Sequence, residues 1–267
     1  MAKPAKYLLV SSTEAYSGKS AVLLGIAHEL GEKGIQVAYS KPLGTCSEDR
    51  CDEIKEKDVS FVKKSLDLSS EQIQPPLLYL DRTTIGERLQ GKDTQNYSLA
   101  LRDHLTKLNA DVVLLEGPET LWEGSLFSLA ARDIAETVDA SILLVSRYDS
   151  LRCVANCITA KRNLGEGIIG VVLNDIPQDK LEEVELLVKP YLEKQNIPLL
   201  GAIPQDKLLN SVSVRELATR LNAKVLCRSD RLDLLVESLS IGAMNSIIPS
   251  DKLFAKTNPA IMPIISI

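Results

Sequence analysis

Short apolar runs alternate along the chain with longer stretches whose apolar residues recur at helical spacing. Tyr7–Val10 is the first such run and reads as a strand. From Gly18 onward, Val22, Leu23, Ile26, Ala27 and Leu30 share one helical face. Gly31 and Gly34 close that pattern, and Val37–Tyr39 reads as the next strand. Further strands are expected at Val112–Leu115, Ile142–Val145, Ile169–Leu173 and Leu199–Ile203. Helices are expected between most of them, at Ser98–Leu108, Leu126–Thr137, Val154–Leu164 and Lys180–Lys194. Strand–helix alternation of this kind predicts an α/β fold, a parallel sheet flanked by helices. Such sheets take ligands beyond the carboxyl ends of their strands, so the residues just after each strand are the first candidates.

Two stretches break the rhythm. Cys46–Lys57 is polar, charged and without period, and reads as a surface loop. Beyond Pro204, a short helix at Ser213–Asn222 and a short strand at Lys224–Cys227 are expected. The tail, Met244–Ile267, carries Pro249, Pro259 and Pro263 and has neither period. The expected organisation is an α/β domain over 1–206 and a smaller α/β segment with an irregular tail over 207–267.

Composition narrows the class. In 267 residues only 4% are aromatic against 45% hydrophobic, so the core is aliphatic, as buried parallel strands prefer. Lys plus Arg total 31 and Asp plus Glu 36, a net charge of -5, which argues against broad nucleic-acid binding. No run approaches the roughly 18 apolar residues of a membrane span, and no secretory leader is visible. Five Cys without a regular framework suit reduced thiols, hence a cytoplasmic location.

The strongest chemical signal follows the first strand: Ser11-Ser12-Thr13-Glu14-Ala15-Tyr16-Ser17-Gly18-Lys19-Ser20. Gly18, Lys19 and Ser20 match the end of the phosphate-loop pattern G-x-x-x-x-G-K-[ST], and Thr13 stands where its first Gly would be. Strand before and amphipathic helix after are the required context. A helix N-terminus offers unpaired N–H groups to phosphate, Lys19 a cation, and Ser20 a hydroxyl for Mg²⁺. Glu116, at the end of Val112–Leu115, could reach that Mg²⁺, or be a solvated loop acid. Lys41, in Ser40-Lys41-Pro42, adds a cation at the same edge, or is a turn lysine fixed by Pro42. Asn174, in Asn174-Asp175, can both donate and accept at an adenine edge, but taken by itself reads more readily as a turn residue. His28 and His104 are isolated within helical patterns, and Cys153 and Cys157 lack the second pair that zinc needs.

In this order, Thr13 to Ser20, Lys41-Pro42, Glu116-Gly117 and Asn174-Asp175 resemble the motifs of dethiobiotin synthetase, whose loop also carries Thr in place of the first Gly. The resemblance spans roughly Lys6 to Pro204. It is closer still to the N-terminal region of long phosphate acetyltransferases, in which a P-loop domain precedes a small DRTGG domain. Leu208–Leu217, Lys224–Cys227 and Ile241–Met244 are similar to the first half of that small domain. After Asn245 the similarity stops, so a truncated or frame-shifted second domain is expected.

That resemblance implies ATP and Mg²⁺ as cofactors. It implies Thr13, Glu14, Ser17, Gly18, Lys19, Ser20 and Asn174 around the nucleotide, with Asn174 near adenine. It implies Ser20, Asp58 and Glu116 at the metal, and Lys19 and Lys41 as the cations facing the γ-phosphate or a substrate anion. A homodimer paired across the nucleotide face is a further implication. Pro118-Glu119-Thr120-Leu121-Trp122 replaces the Gly-rich segment of the synthetase, which argues against dethiobiotin as product. The catalytic domain of a phosphate acetyltransferase does not fit in this length. The expected function is a Mg·ATP-binding regulatory module; alternatives are an ATP-dependent ligase for a small carboxylate or carbamate, and a nonfunctional remnant.

Overall fold

A computed structural model describes residues 7–45, 60–206, 208–209 and 211–236. The Cys46–Lys57 loop, Asp58 and the tail from 237 onward lie outside the described residues. The chain divides into two compact units, Met1–Gln205 and Asp206–Ile267.

The first unit holds the strands β1 (Tyr7–Ser12), β2 (Val37–Ser40), β3 (Leu43–Thr45), β4 (Ile73–Gln74), β5 (Leu78–Leu80), β6 (Val112–Glu116), β7 (Ser141–Arg147), β8 (Ile168–Ile176) and β9 (Leu199–Pro204). Seven of them form one sheet in the order β4-β2-β6-β1-β7-β8-β9, and every pair is parallel. β3 and β5 pair separately. The expected parallel α/β sheet is therefore present, with two additions at its edge, β4 and the β3–β5 pair, that carry too few residues to show a period.

Alternation along the strands divides the core into two layers. Leu9, Val113, Leu115, Ile142 and Leu144 pack under α4 (Tyr97–Leu105), α5 (Ala131–Val138), α6 (Cys153–Leu164) and the helical stretch 181–194. Val10, Leu114, Leu143 and Val145 pack on the other face under α1 (Lys19–Glu32) and Val62 of α2 (helical residues 60–65). A helix absent from the sequence reading, α3 (Arg82–Leu89), is capped by Asp81, whose carboxylate accepts from Thr84 N–H at 2.7 Å.

Three expectations are corrected. The helix expected at Leu126–Thr137 is interrupted: residues 125–127 make a single 3₁₀ turn, Ser128 takes φ 55°, and α5 starts only at Ala131. Phe127 and Leu129 are both buried, a spacing of two that no continuous helix satisfies. The helix at Lys180–Lys194 is helical but contains a π-turn at Val184–Val188. Lys224–Cys227 is irregular and exposed, and among the described residues no strand pairs with it. In the second unit the strands are instead Val212–Ser213 (β10) and Leu235–Val236 (β11), an antiparallel pair flanking the helix Val214–Arg220. Ser213 caps that helix, its hydroxyl accepting from Glu216 N–H at 3.1 Å.

Candidate functional site

β1 runs two residues further than its apolar run, because Ser11 and Ser12 continue the ladder with Leu144 and Val145 of β7. The chain then turns across the carboxyl end of the sheet and enters α1. Along this turn it stays fastened to β7. Thr13 N–H donates to Val145 O at 3.3 Å, Thr13 Oγ1 donates to Ser146 Oγ at 3.1 Å, and Arg147 N–H donates to the Glu14 carboxylate at 3.1 Å. Thr13 thus has a structural reason to replace glycine: its hydroxyl joins the loop to the central sheet. Tyr16, with φ 56°, forms the loop tip and is 93% exposed.

Gly18 caps α1 with φ 87°, a backbone that favours glycine. From β8, Asn174 Nδ2 donates to Ser17 O at 2.9 Å, and a Cβ placed on Gly18 would collide with that amide. Ser17 Oγ is buried and, among the described residues, without a hydrogen-bond partner, as are Ser11 Oγ and Ser40 Oγ. These orphaned hydroxyls sit in the loop itself or at the carboxyl ends of β1 and β2. Buried polar groups normally find partners, so their concentration here fits a site shaped for a polar ligand.

Lys19 opens α1 and is buried, its Nζ donating to Pro118 O at 2.5 Å. Burial holds its ammonium below the ordinary lysine range; Glu116 opposes this, Lys41 lowers it further, and Glu119 and Glu123 oppose. Lys41 is therefore near enough for its charge to be felt at Lys19. One residue on, Ser20 Oγ donates to Glu116 Oε1 at 2.9 Å. The other carboxylate oxygen, Oε2, accepts from the hydroxyl of Tyr39 on β2 at 2.8 Å. Ser20 and Glu116 place hard oxygen donors from α1 and β6 side by side, the donor chemistry suited to Mg²⁺. Asp58, expected as a further acid at the metal, lies outside the described residues. Among the described residues no group of three or more His, Cys, Asp or Glu could hold a metal by itself.

Behind Glu116, Gly117 N–H donates to Val10 O at 2.9 Å, and a Cβ on Gly117 would come within 3.1 Å of Val10 O and Ser11 Oγ. Absence of a side chain lets the chain lie against β1, where Glu119 O accepts from Ser12 Oγ at 3.2 Å. The structure thus brings together Thr13, Glu14, Ser17, Gly18, Lys19, Ser20, Glu116 and Asn174, with Lys41 within electrostatic reach.

Sequence reasoning missed Tyr39, Ser146 and Arg147. Tyr39 sits in a four-residue buried strand with Val37, Ala38 and Ser40, where it reads as core. Only the register Tyr39↔Leu114, two residues before Glu116, shows that its hydroxyl faces the acid. Cys153 and Cys157 are core thiols: burial pushes them up to about 11 and about 12. No helix among the described residues is long and apolar enough to cross a membrane.

Known proteins resemble the chain over much of its length. A phosphate acetyltransferase of Synechocystis sp. is 28% identical over 247 residues, covering 89% of this chain and 35% of that protein. A protein designated probable cobyric acid synthase, from Methanococcus maripaludis, is 26% identical over 237 residues, covering 77% of this chain and 46% of its own. The chain spans about a third to a half of the length of these relatives. Among solved structures, the septum site-determining protein MinD with Mg-ADP from Pyrococcus horikoshii superposes with a TM-score of 0.45 at 18% identity, covering 79% of this chain and 84% of that one. A family model described as an AAA domain, AAA_26, matches residues 6–213, a span that contains the whole seven-stranded sheet and the loop from Thr13 to Ser20. The chain belongs to the AAA_26 family.

Proposed function

We propose that this chain binds Mg·ATP through the loop Thr13–Ser20 and serves as a regulatory nucleotide-binding module. The observation that carries the reading is the convergence of Lys19, Ser20 and Glu116, from two elements, at the carboxyl edge of the sheet. In this reading, N–H groups of Ser17–Ser20 and the start of α1 hold the β-phosphate. Lys19 leaves Pro118 O for the β- and γ-phosphates. Ser20 and Glu116, with Asp58, hold Mg²⁺, which when bound offsets phosphate charge. Asn174 lies toward the adenine. Dimerisation across this face is part of the proposal; the fully exposed tip at Tyr16 is the surface such a contact would use.

A second reading, an ATP-dependent ligase acting on a small carboxylate or carbamate, is favoured by one observation. Lys41 adds a second cation close enough to perturb Lys19, as a site that stabilises a transferred phosphoryl group requires. Turnover that appears only when a carboxylate substrate is supplied would support it over the module.

Calorimetric titration with ATP and Mg²⁺ tests the main reading. Wild type is expected to bind, and Lys19→Ala to lose on the order of a hundredfold in affinity with its charge-assisted hydrogen bonds. Absence of binding by wild type overturns the reading. The pH dependence has a defined sign. Phosphate is held by protonated Lys19, so affinity declines as pH rises through the lowered lysine value, earlier than an ordinary lysine would dictate. Stability of the ligand-free chain runs the other way. The cost of burying the ammonium is full below the lowered value and disappears as pH climbs from there to the ordinary lysine range.

A further inference from the structure

Asn174 stands at the exit of β8, two strands away from β1, yet its side chain reaches over β7 to the phosphate loop. Its own backbone is fixed, because its carbonyl accepts from Tyr148 N–H at 2.8 Å. The next residue is fixed as well, Asp175 pairing with Arg147 of β7 at 2.7 Å. The amide is thus delivered to Ser17 O by a rigid strand end.

That contact determines more than one hydrogen bond. The Ser17–Gly18 peptide is planar and trans, so its carbonyl and the Gly18 N–H point in opposite directions. Anchoring the carbonyl on Asn174 turns the Gly18 N–H away from Asn174. Gly18 at φ 87° supplies the backbone this orientation needs, and having no Cβ it leaves room for the amide. We propose that Asn174 is a positioning residue for the phosphate loop, holding the Gly18 N–H in the orientation that donates to a phosphate oxygen. One amide hydrogen is used on Ser17 O; the second hydrogen and the Oδ1 acceptor stay available to a base. The role rests on the nucleotide reading above and adds to it: Asn174 acts on the phosphate end, whichever base is bound.

Inorganic tripolyphosphate, which has no base, separates this role from base recognition. Its affinity and that of ATP are measured by calorimetry, with Mg²⁺, for wild type, Asn174→Ala and the shape-preserving Asn174→Leu. Both ligands are expected to weaken, tripolyphosphate by about five- to tenfold, the worth of one hydrogen bond, and ATP by at least that factor. Weakened ATP with unchanged tripolyphosphate makes Asn174 a base reader only and overturns the proposal, as does no change in either. If wild type binds neither ligand, the nucleotide reading falls and takes this role with it. A ligand-free readout tests the contact itself. Gly18→Ala is expected to lower the thermal midpoint more beside Asn174 than in the Asn174→Ala background, where the collision with the amide is gone and only backbone strain remains. Strictly additive losses would show that the amide does not shape the loop.

Discussion

Two loops close over the carboxyl edge of the sheet, and they are held by different means. Thr13–Ser17 is fastened by residues far away in sequence: Ser146 and Arg147 lie 133 positions from their partners, and Asn174 lies 157 from Ser17. Pro118–Gly124 is fastened largely by its neighbours. Glu119 N–H donates to Glu123 Oε2 at 2.7 Å, Glu123 N–H to Thr120 Oγ1 at 3.3 Å, and Ser125 N–H to Trp122 O at 3.1 Å. The first loop is therefore an attribute of the assembled sheet, and the second is nearly a self-contained turn. They meet where Lys19 donates to Pro118 O and Ser12 to Glu119 O.

The contrast can be broken from the second loop first. Gly124 has φ 90°, and a Cβ there would stand 2.7 Å from Leu129 O and 2.8 Å from Leu43 Cδ2. Gly124→Ala is expected to cost about 2–4 kcal/mol, from backbone strain and a clash that the Leu129 carbonyl cannot relieve. Thermal denaturation measures it; an unchanged midpoint would mean that this turn is not locally specified. Next comes Glu116, the acid that leads into the second loop. Tyr39→Phe keeps the buried ring and removes the donor to Glu116, at an expected cost of about 1.5–3 kcal/mol. It should also raise the Mg²⁺ concentration needed for nucleotide binding while sparing metal-free binding; equal Mg²⁺ dependence would detach Tyr39 from the site. The smallest effect is expected from Thr13→Gly, which restores the ordinary phosphate-loop pattern. Loss of the bond to Ser146 should cost about 1 kcal/mol, a fall of about 2–4 °C in thermal midpoint. A midpoint that rises instead would make Thr13 incidental.

What could be read in advance follows the same division. Gly18, Lys19 and Ser20 were legible because a strand, a turn and a helix N-terminus are all encoded within fifteen residues. The central strands were legible because both faces are buried, which leaves continuous apolar runs such as Val112–Leu115. Glu116 was legible only as an acid at a strand end. That its two oxygens are taken by Ser20 and Tyr39 depends on β2, β6 and β1 being neighbours, which no local pattern states. Ser146 and Arg147 were hidden likewise, as the last two residues of an apolar strand. The break at Ser128 was hidden because its left-handed backbone falls on a serine, where glycine, asparagine or aspartate would have signalled it. β4 has only two residues, too few for any alternation.

The long sequence spans of the first loop have a consequence for the order in which the protein is made. A chain emerging from a ribosome presents Gly18–Ser20 early, but Ser146, Arg147 and Asn174 arrive more than a hundred residues later. Until β7 and β8 have docked beside β1, the Thr13–Ser17 segment lacks these tethers. Such distant pairings form late, because their loop closures must be paid before contacts repay them. Capture of a ligand by that loop would then mark a nascent chain whose sheet is complete as far as β8, and a translation-arrest series whose arrest points place β8 inside and then outside the ribosomal exit would locate the moment.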